Sequence, residues 1–437
     1  MKKVVVFGAG RIATPCVRHM LKEPDLQVVV VDKVIENAQK IIANHPGGEA
    51  VSLDLQDADN LIDEADLVVS LLPRFLDSQV INKCIEHKTS LVFPNFLSPE
   101  IRDLGQKAKE AGITVLGEIG LDPGIDHMSA VKVIDEIKEK GGAIKKFSSW
   151  CGGFPAPDAA NEPVRYKFSW SPEEAIEACT CPARFQEQGK EINITGSELM
   201  KHYSFKNVAG CGWFEEYPNS DAIFYIDIYG IPEVDTIYRG TFRYPGWCET
   251  IACLYEVGMF DTRVEDVGHM TYKEYICKRI GLSSNENIAR TMAEYLGVRE
   301  YSVVIKNIEW LGFFDNEPLP FEHAAAKEIL SDLLLKKLSY GKGERDLVVM
   351  VHEFDVLQPG GKAGRITSTL VEYGEPDGDS AMARTTGLPV AIVAKIIARG
   401  EYGKPGVQIP VDRELYRPVL KELEELGIYL KDFYVEL

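Results

Sequence analysis

Long apolar runs are missing from this chain, and so is any surplus of positive charge. No stretch holds the ~20 consecutive apolar residues that a membrane-spanning helix needs, so no membrane partner is expected. Lys and Arg number 48 against 67 Asp and Glu, a net charge of -19. Nucleic acid is therefore not an expected partner, because neutralising its phosphates takes a basic surface. The same deficit means that an anionic ligand would need a locally basic pocket. Cysteine is sparse: nine are scattered between Cys16 and Cys277, an odd number with no disulfide-type spacing. They read as reduced, buried thiols. Cys179 and Cys181 have no His cluster near them in sequence, so no metal is expected. A secretory leader is not expected either, because Met1-Lys2-Lys3 and Val4-Val5-Val6 run straight into Gly8-Ala9-Gly10-Arg11. The expected compartment is the cytoplasm. Internal repeats and low-complexity tracts are absent.

What is present begins with alternation. Lys3 to Phe7, Leu26 to Val31, Asp66 to Leu72, Ser90 to Phe93 and Thr114 to Gly117 read as short buried strands. Ile12 to Lys22, Glu36 to Ala43, Ser78 to Lys88 and Pro99 to Ala111 read as the helices between them. Strand-helix alternation with short links predicts an α/β fold with a doubly wound parallel sheet. From about Gly142 the texture changes to aromatic strands between Gly/Pro turns: Lys145 to Trp150, Arg165 to Trp170, Ala222 to Tyr229 and Thr236 to Tyr244. Helix formers dominate from Thr262 to Gly343, with helices at Asn287 to Leu296 and His323 to Leu338. Strands return at Asp346 to Leu357 and Arg365 to Tyr373, followed by a helix from Ser380 to Arg399. The expected organisation is a Rossmann-type domain over residues 1-124, onto which the C-terminal segment could pack back. A mixed-sheet α/β domain over 125-261 and 343-437 would follow, with a helical insertion over 262-342.

Gly8-Ala9-Gly10-Arg11-Ile12-Ala13 fits G-x-G-x-x-A between a strand and a helix. The first glycine allows the tight turn, and the second lets backbone approach a pyrophosphate. The small Ala13 lets helix pack close to strand. A diphosphate would sit where unpaired N–H groups and the helix dipole favour negative charge. Asp32 ends the second strand, where a carboxylate can take both ribose hydroxyls and repel a 2′-phosphate. The cofactor is thus NAD or NADP, and Asp32 favours NAD. Lys33 next door could instead accommodate the phosphate. Asp54 could reach the adenine side or be a plain surface acid. The turns Ser70-Leu71-Leu72-Pro73 and Phe93-Pro94-Asn95 end strands and should line the nicotinamide half of the cleft.

Gly117-Glu-Ile-Gly-Leu-Asp-Pro-Gly-Ile-Asp-His127 lies on a strand-to-helix turn. Three carboxylates, three glycines and a proline suit either an active site or a hinge better than a core. The run from Ile119 to His127 resembles the signature of the saccharopine dehydrogenase family. Cys151 to Pro157, Tyr166 to Ser171, Arg239 to Tyr244, Ser368 to Leu370, Ser380 to Ala383, Gly387 to Pro389 and Lys404 to Val407 are similar to its glutamate-forming branch, also called saccharopine reductase. The resemblance implies an enzyme that interconverts saccharopine with L-glutamate and 2-aminoadipate 6-semialdehyde in lysine metabolism, acting on a CH–NH group with a nicotinamide cofactor. It also implies a mixed α/β domain for substrate and dimer contacts, and hence a homodimer.

Carried over by motif, Gly8, Ala9, Gly10, Arg11, Ile12, Asp32, Lys33, Asp54, Leu55, Leu72, Asn95, Leu121, Asp122 and Pro123 would hold the cofactor. Asn95, Phe96, Asp122, Gly124, Asp126, Ser169, Thr241 and Arg243 would hold the substrate. This chain departs from the family pattern in three places. Asp32 stands where many relatives have a basic or small residue. Asn95-Phe96 replaces Ser-Tyr and removes a phenol. Ser220 replaces a basic residue. A related carbon-nitrogen oxidoreductase such as carboxynorspermidine dehydrogenase, or a non-catalytic dinucleotide sensor, therefore stays open as an alternative.

Saccharopine carries three carboxylates around a secondary amine, so its oxidation needs cations, a proton shuttle and no metal. Asp126, Asp122 and Cys151 are the expected catalytic groups, with His127 secondary. Asp126 could also cap the following helix, and Cys151 could be a packed thiol. Arg243, Arg239 and Lys167 are the expected carboxylate partners, since arginine grips carboxylates bidentately.

Overall fold

A computed structural model describes residues 1–282 and 287–437. The chain divides into two compact units, 1–147 with 226–233 and 347–437, and 148–225 with 234–346.

The first unit is built on a parallel sheet. Its strands are β1 (Lys2–Phe7), β2 (Leu26–Val31), β3 (Gly48–Val51), β4 (Leu67–Ser70), β5 (Leu91–Val92) and β6 (Thr114–Leu116). They lie in the order 3-2-1-4-5-6, with a seventh strand, Gly406–Gln408, added beside β6. This is the Rossmann order, whose switch point lies between β1 and β4. Strands such as Val4 to Phe7 and Val28 to Val31 are buried on both faces, which is why they read as continuous apolar runs. The expected helix from Pro99 to Ala111 is two helices, Pro99–Asp103 and Gly105–Ala111.

Helix Ala381–Ala398 covers the first helix, Ala13–Met20, so closely that a Cβ on Gly387 would stand 2.6 Å from the Ile12 carbonyl oxygen. This explains the glycine of the Gly387-Leu-Pro389 motif. The same helix is long and apolar enough to cross a membrane, yet 83% of it is buried inside the protein, as befits a core helix. Strand Asp346–Leu357 pairs antiparallel with Ala363–Tyr373, which pairs with Lys431–Glu436. Residues 347–437 group with the nucleotide-type sheet because Gly406–Gln408 extends it and Ala381–Ala398 packs on it.

A charged knot holds that arrangement at one end. Lys395, 5% exposed, bonds Glu23 at 3.0 Å and also Glu422, and His19 Nε2 lies 2.7 Å from Glu422. Burial pushes the Glu422 carboxyl up, but hydrogen bonds from His19 and Lys395 overcome this and hold it at about 2. Its unfolded value is ~4.3. The stability it contributes is therefore complete above the unfolded value and lost as pH falls from there toward 2. Glu422→Gln is expected to lose less thermal stability than the parent between pH 7 and pH 3 in calorimetry. An equal loss in both would show that Glu422 does not carry this dependence.

In the second unit, Ser204–Val208 and Gly212–Pro218 form a hairpin that continues to Thr236–Arg243. Ala183–Glu187 and Lys190–Ile194 form another. Helices Tyr272–Arg279, Ile288–Leu296, Val303–Leu311 and Ala326–Lys337 follow. Two expected strands are not there. Residues 165–170 are buried but irregular, with the Phe168 N–H donating to the Leu338 carbonyl at 2.9 Å and Tyr166 packed against Trp247. Residues 222–229 contain a helical turn, Tyr225–Ile228, begun when the Asp221 carboxylate accepts the Phe224 N–H at 3.2 Å. Such local bonds draw a chain away from ladder pairing.

Candidate active site

In the first unit β1 ends at Phe7 and the chain turns at Gly8 with φ +99°, a region glycine enters freely. A Cβ on Gly8 would stand 2.9 Å from the Leu71 carbonyl oxygen. Gly10 differs: a Cβ there would meet nothing within 4 Å. Its smallness answers no packing demand and leaves the backbone open to a pyrophosphate, followed by the N-terminus of helix Ala13–Met20. Asp32 Oδ2 accepts the Ala9 N–H at 2.8 Å and Oδ1 accepts the Val34 N–H at 2.9 Å. The carboxylate thus braces the glycine turn as well as marking the ribose end. These residues fit a dinucleotide.

Lys33 pairs with Asp54 at 3.0 Å on the surface, and this hydrogen bond holds the Asp54 carboxyl below its usual range. Arg11 is exposed and Ile12 and Leu72 are half-buried. Leu55 is turned into the apolar core, so only its backbone could face a ligand. The Asn95 amide donates to both oxygens of Asp77, at 3.1 and 2.9 Å, tying two turns together beside half-buried Phe96.

The motif after β6 is a tightly knotted turn. Gly120 N–H donates to the Pro123 carbonyl at 2.8 Å and Ile125 N–H to the Gly120 carbonyl at 2.8 Å. Gly124 has φ +144°, and a Cβ on it would fall 2.1 Å from the Gly120 oxygen. The Asp122–Pro123 peptide is cis. Asp122 is half-buried, while Asp126 is 1% exposed. Gly124, not Asp126, is the N-cap of helix Ile125–Glu139, and Asp126 Oδ1 accepts the Gly124 N–H at 2.5 Å. Asp126 is therefore inside the first turn rather than capping it. His127 Nε2 lies 2.8 Å from Glu118 Oε2, and Nδ1 lies 2.6 Å from the Tyr229 hydroxyl and 3.7 Å from Asp126 Oδ2.

In the second unit Arg243 closes strand Thr236–Arg243 and is 5% exposed. Its guanidinium lies 4.9 Å from the Tyr166 ring, 5.9 Å from Trp247 and 6.0 Å from Tyr217, and Nη1 donates to the Phe242 carbonyl at 2.8 Å. Among the described residues no carboxylate pairs with it. Its cross-strand neighbour Glu215 accepts the Gly246 and Cys248 N–H groups at 2.7 and 2.8 Å, at the start of helix Trp247–Glu256. Arg243 Nε, Ser169 Oγ and Trp247 Nε1 are buried with no partner among the described residues. A buried cation left unanswered costs several kcal/mol or so, unlike a surface one.

Burial pushes the Cys179 thiol up to about 12 despite the opposing pull of Arg243, so it is inert at neutral pH. Lys167 is not an available cation: it pairs with Glu162 and Glu344, both at 2.6 Å. Arg239 stacks over Tyr225 at 4.9 Å. Thr241 is half-buried, and Cys151 is 5% exposed on strand Ala143–Pro155.

The structure thus brings Gly8 to Ile12 and Asp32 together at one turn, and Leu121 to His127 at another. In the second unit it gathers Arg243 with Tyr166, Tyr217 and Trp247, and it buries Ser169. Glu118, Tyr229 and Trp247 carry functional geometry that the sequence reading did not single out. Glu118 lay inside the quoted motif, where it is a non-glycine residue with φ of +58°. Tyr229 had no signal, since its partner is 102 positions away.

Comparison with known proteins agrees with this layout. The saccharopine dehydrogenase NADP binding domain matches residues 4–116, and the saccharopine dehydrogenase C-terminal domain matches 120–428. The chain is 34% identical to saccharopine dehydrogenase [NADP(+), L-glutamate-forming] of Saccharomyces cerevisiae, covering 99% of both. It is 35% identical to the mitochondrial alpha-aminoadipic semialdehyde synthase of Bos taurus over 98% of this chain, and spans about half, 47%, of that protein. The apo structure of the Saccharomyces cerevisiae saccharopine dehydrogenase (L-Glu forming) superposes with a TM-score of 0.90 over 100% of both chains at 34% identity. A homospermidine synthase from Legionella pneumophila, at 11% identity and a TM-score of 0.57, shares the fold alone. The chain belongs to the saccharopine dehydrogenase family.

Proposed function

We infer that the chain is an NAD(P)-dependent oxidoreductase acting on the CH–NH group of saccharopine, which it interconverts with L-glutamate and 2-aminoadipate 6-semialdehyde in lysine metabolism. Support comes first from Arg243, a buried guanidinium that pairs with no carboxylate among the described residues. In a chain of net charge -19, that cation suits a carboxylate that arrives with the substrate. Ser169 Oγ, buried without a partner among the described residues, and Thr241 are proposed as further donors for it. The polyamine and sensor alternatives are not favoured by the relatives found. The cytoplasm and a homodimer remain part of the proposal; the bovine relative is named as mitochondrial.

When bound, the dinucleotide supplies the hydride acceptor. The protein's work is the rest. Gly8 to Ile12 seat the diphosphate by backbone, and Asn95, Leu121 and Pro123 shape the nicotinamide side. Asp126 takes and returns a proton at Oδ2, first to keep the amine neutral and then to activate the water that cleaves the imine. Asp122, on the same turn, is the more solvent-exposed carboxylate and exchanges that proton with water. Phe96 offers no hydroxyl for the task. Cys151, 5% exposed, is tested as a proton group by replacing it with serine, and an unchanged kcat would remove it.

The proposed preference is NAD, although the relatives' names print NADP(+). The Asp32 carboxylate opposes a 2′-phosphate, and Lys33 is engaged by Asp54. Following absorbance at 340 nm with saccharopine and each oxidised dinucleotide tests both points. The parent is expected to turn over saccharopine with NAD more efficiently. Asp32→Asn keeps an acceptor for Ala9 but removes the charge, and should raise the NADP-to-NAD ratio of kcat/KM by about tenfold, the equivalent of ~1.4 kcal/mol. No reduction with either cofactor would overturn the substrate assignment. An unchanged ratio in Asp32→Asn would remove Asp32 as the selector.

A further inference from the structure

Three buried titratable side chains lie in one hydrogen-bonded line within the first unit, and the function above uses none of them. Glu118 and His127 are 0% exposed, and Tyr229 is 5% exposed. Apolar residues would fill such a space at no desolvation cost, so the line calls for a reason. Its polarity follows from the partners. Glu118 Oε1 accepts the Leu97 N–H at 3.0 Å, which suits a carboxylate, and Oε2 then accepts from His127 Nε2 at 2.8 Å. With the imidazole proton on Nε2, Nδ1 is an acceptor, and the Tyr229 hydroxyl donates to it at 2.6 Å. The tautomer is thus fixed by its two neighbours. On the same side of the ring, Asp126 Oδ2 stands 3.7 Å from Nδ1, beyond hydrogen-bond distance.

We propose that Glu118, His127 and Tyr229 are positioning residues for Asp126, and that the Tyr229 hydroxyl occupies His127 Nδ1 so that the imidazole cannot capture the Asp126 carboxylate. This rests on the assignment of Asp126 above. Without the hydroxyl, Nδ1 can take a proton from water while Nε2–H stays on Glu118, and the ring can then close the 3.7 Å gap and pin Oδ2. Asp126 would then be held by its neighbour instead of reaching the amine. The Gly124 N–H donating to Oδ1 and the Asp126 N–H donating to the Leu121 carbonyl leave the carboxylate little freedom to avoid this. Tyr229 is suited to the role because it comes from a distant segment, 226–233, that packs as part of the first unit.

The test is Tyr229→Phe, which removes one oxygen and keeps the ring that packs against Phe147. The expected kcat for saccharopine oxidation falls tenfold or more, while KM for saccharopine and for the dinucleotide stays within about twofold. In protein labelled with ¹⁵N histidine, the His127 Nδ1 resonance should move from an acceptor-type to a protonated-type shift in Tyr229→Phe. That movement should disappear when Asp126→Asn is added, because the captured charge is gone. A Tyr229→Phe enzyme with the parent kcat, or an Nδ1 signal indifferent to Asp126→Asn, overturns the proposal. If the parent itself does not oxidise saccharopine, the substrate assignment fails and the two spectra decide this inference alone.

Discussion

Replacing Arg243 with methionine is expected to make the protein more stable and nearly useless for its amino-acid substrate. The two effects have one cause. Arg243 is a buried cation whose surroundings are phenols, thiols and an indole, with no carboxylate paired to it among the described residues. Exchanging such a charge for an apolar side chain of similar length is worth about 1–4 kcal/mol of stability. Removing one partner of a desolvated charge pair costs binding about 2–5 kcal/mol. KM for saccharopine should therefore rise at least about a hundredfold, while KM for the dinucleotide holds. Steady-state kinetics and a thermal melt on the same preparation check both arms. A lower melting temperature would mean that the guanidinium is already satisfied within the fold, and a parallel rise in both KM values would take Arg243 out of the substrate pocket.

Gly124→Ala is expected to cost most among single-methyl additions. The new Cβ would lie 2.1 Å from the Gly120 oxygen and 2.2 Å from its nitrogen, at φ +144°. The turn must open, and with it go the Gly120–Pro123 bond and the hold of Gly124 N–H on Asp126. We expect a stability loss on the order of 3 kcal/mol and a fall in kcat of more than a hundredfold. Gly112→Ala is the control: φ is +75° and nothing lies within 4 Å of the new methyl. Only the backbone cost of about 1 kcal/mol applies there. Chemical denaturation of the two variants side by side decides it, since matching losses would mean that close packing at Gly124 has no special part.

The parts of the site that are local in sequence were legible. Gly8, Gly10 and Asp32 are bound by a strand, a turn and a second strand whose order leaves little freedom. The turn from Gly120 to Asp126 is one knot of backbone bonds among neighbours. Long strands such as Asp346–Leu357 and Thr236–Arg243 announced themselves through apolar content. What sequence could not give is who pays the charges. Lys167 looked like a substrate cation, but Glu344 answers it from 177 positions away. Arg243 looked no different, yet no carboxylate among the described residues pairs with it. The aromatic runs at 165–170 and 222–229 were taken as strands because strands and packed irregular segments share the same residues, and only the tertiary partners Leu338 and Asp221 separate them. The hairpins at 183–194 and 204–218 escaped notice because their exposed faces dilute any apolar alternation.

The seventh strand, Gly406–Gln408, has a temporal consequence. It lies against β6 and the helix Ala381–Ala398 lies against the first helix, so the parallel sheet is completed by residues translated long after β6 itself. During synthesis one edge of that sheet therefore stays raw well after its other strands have been made. A fragment ending near residue 120 would present an open sheet edge ready to pair with another chain.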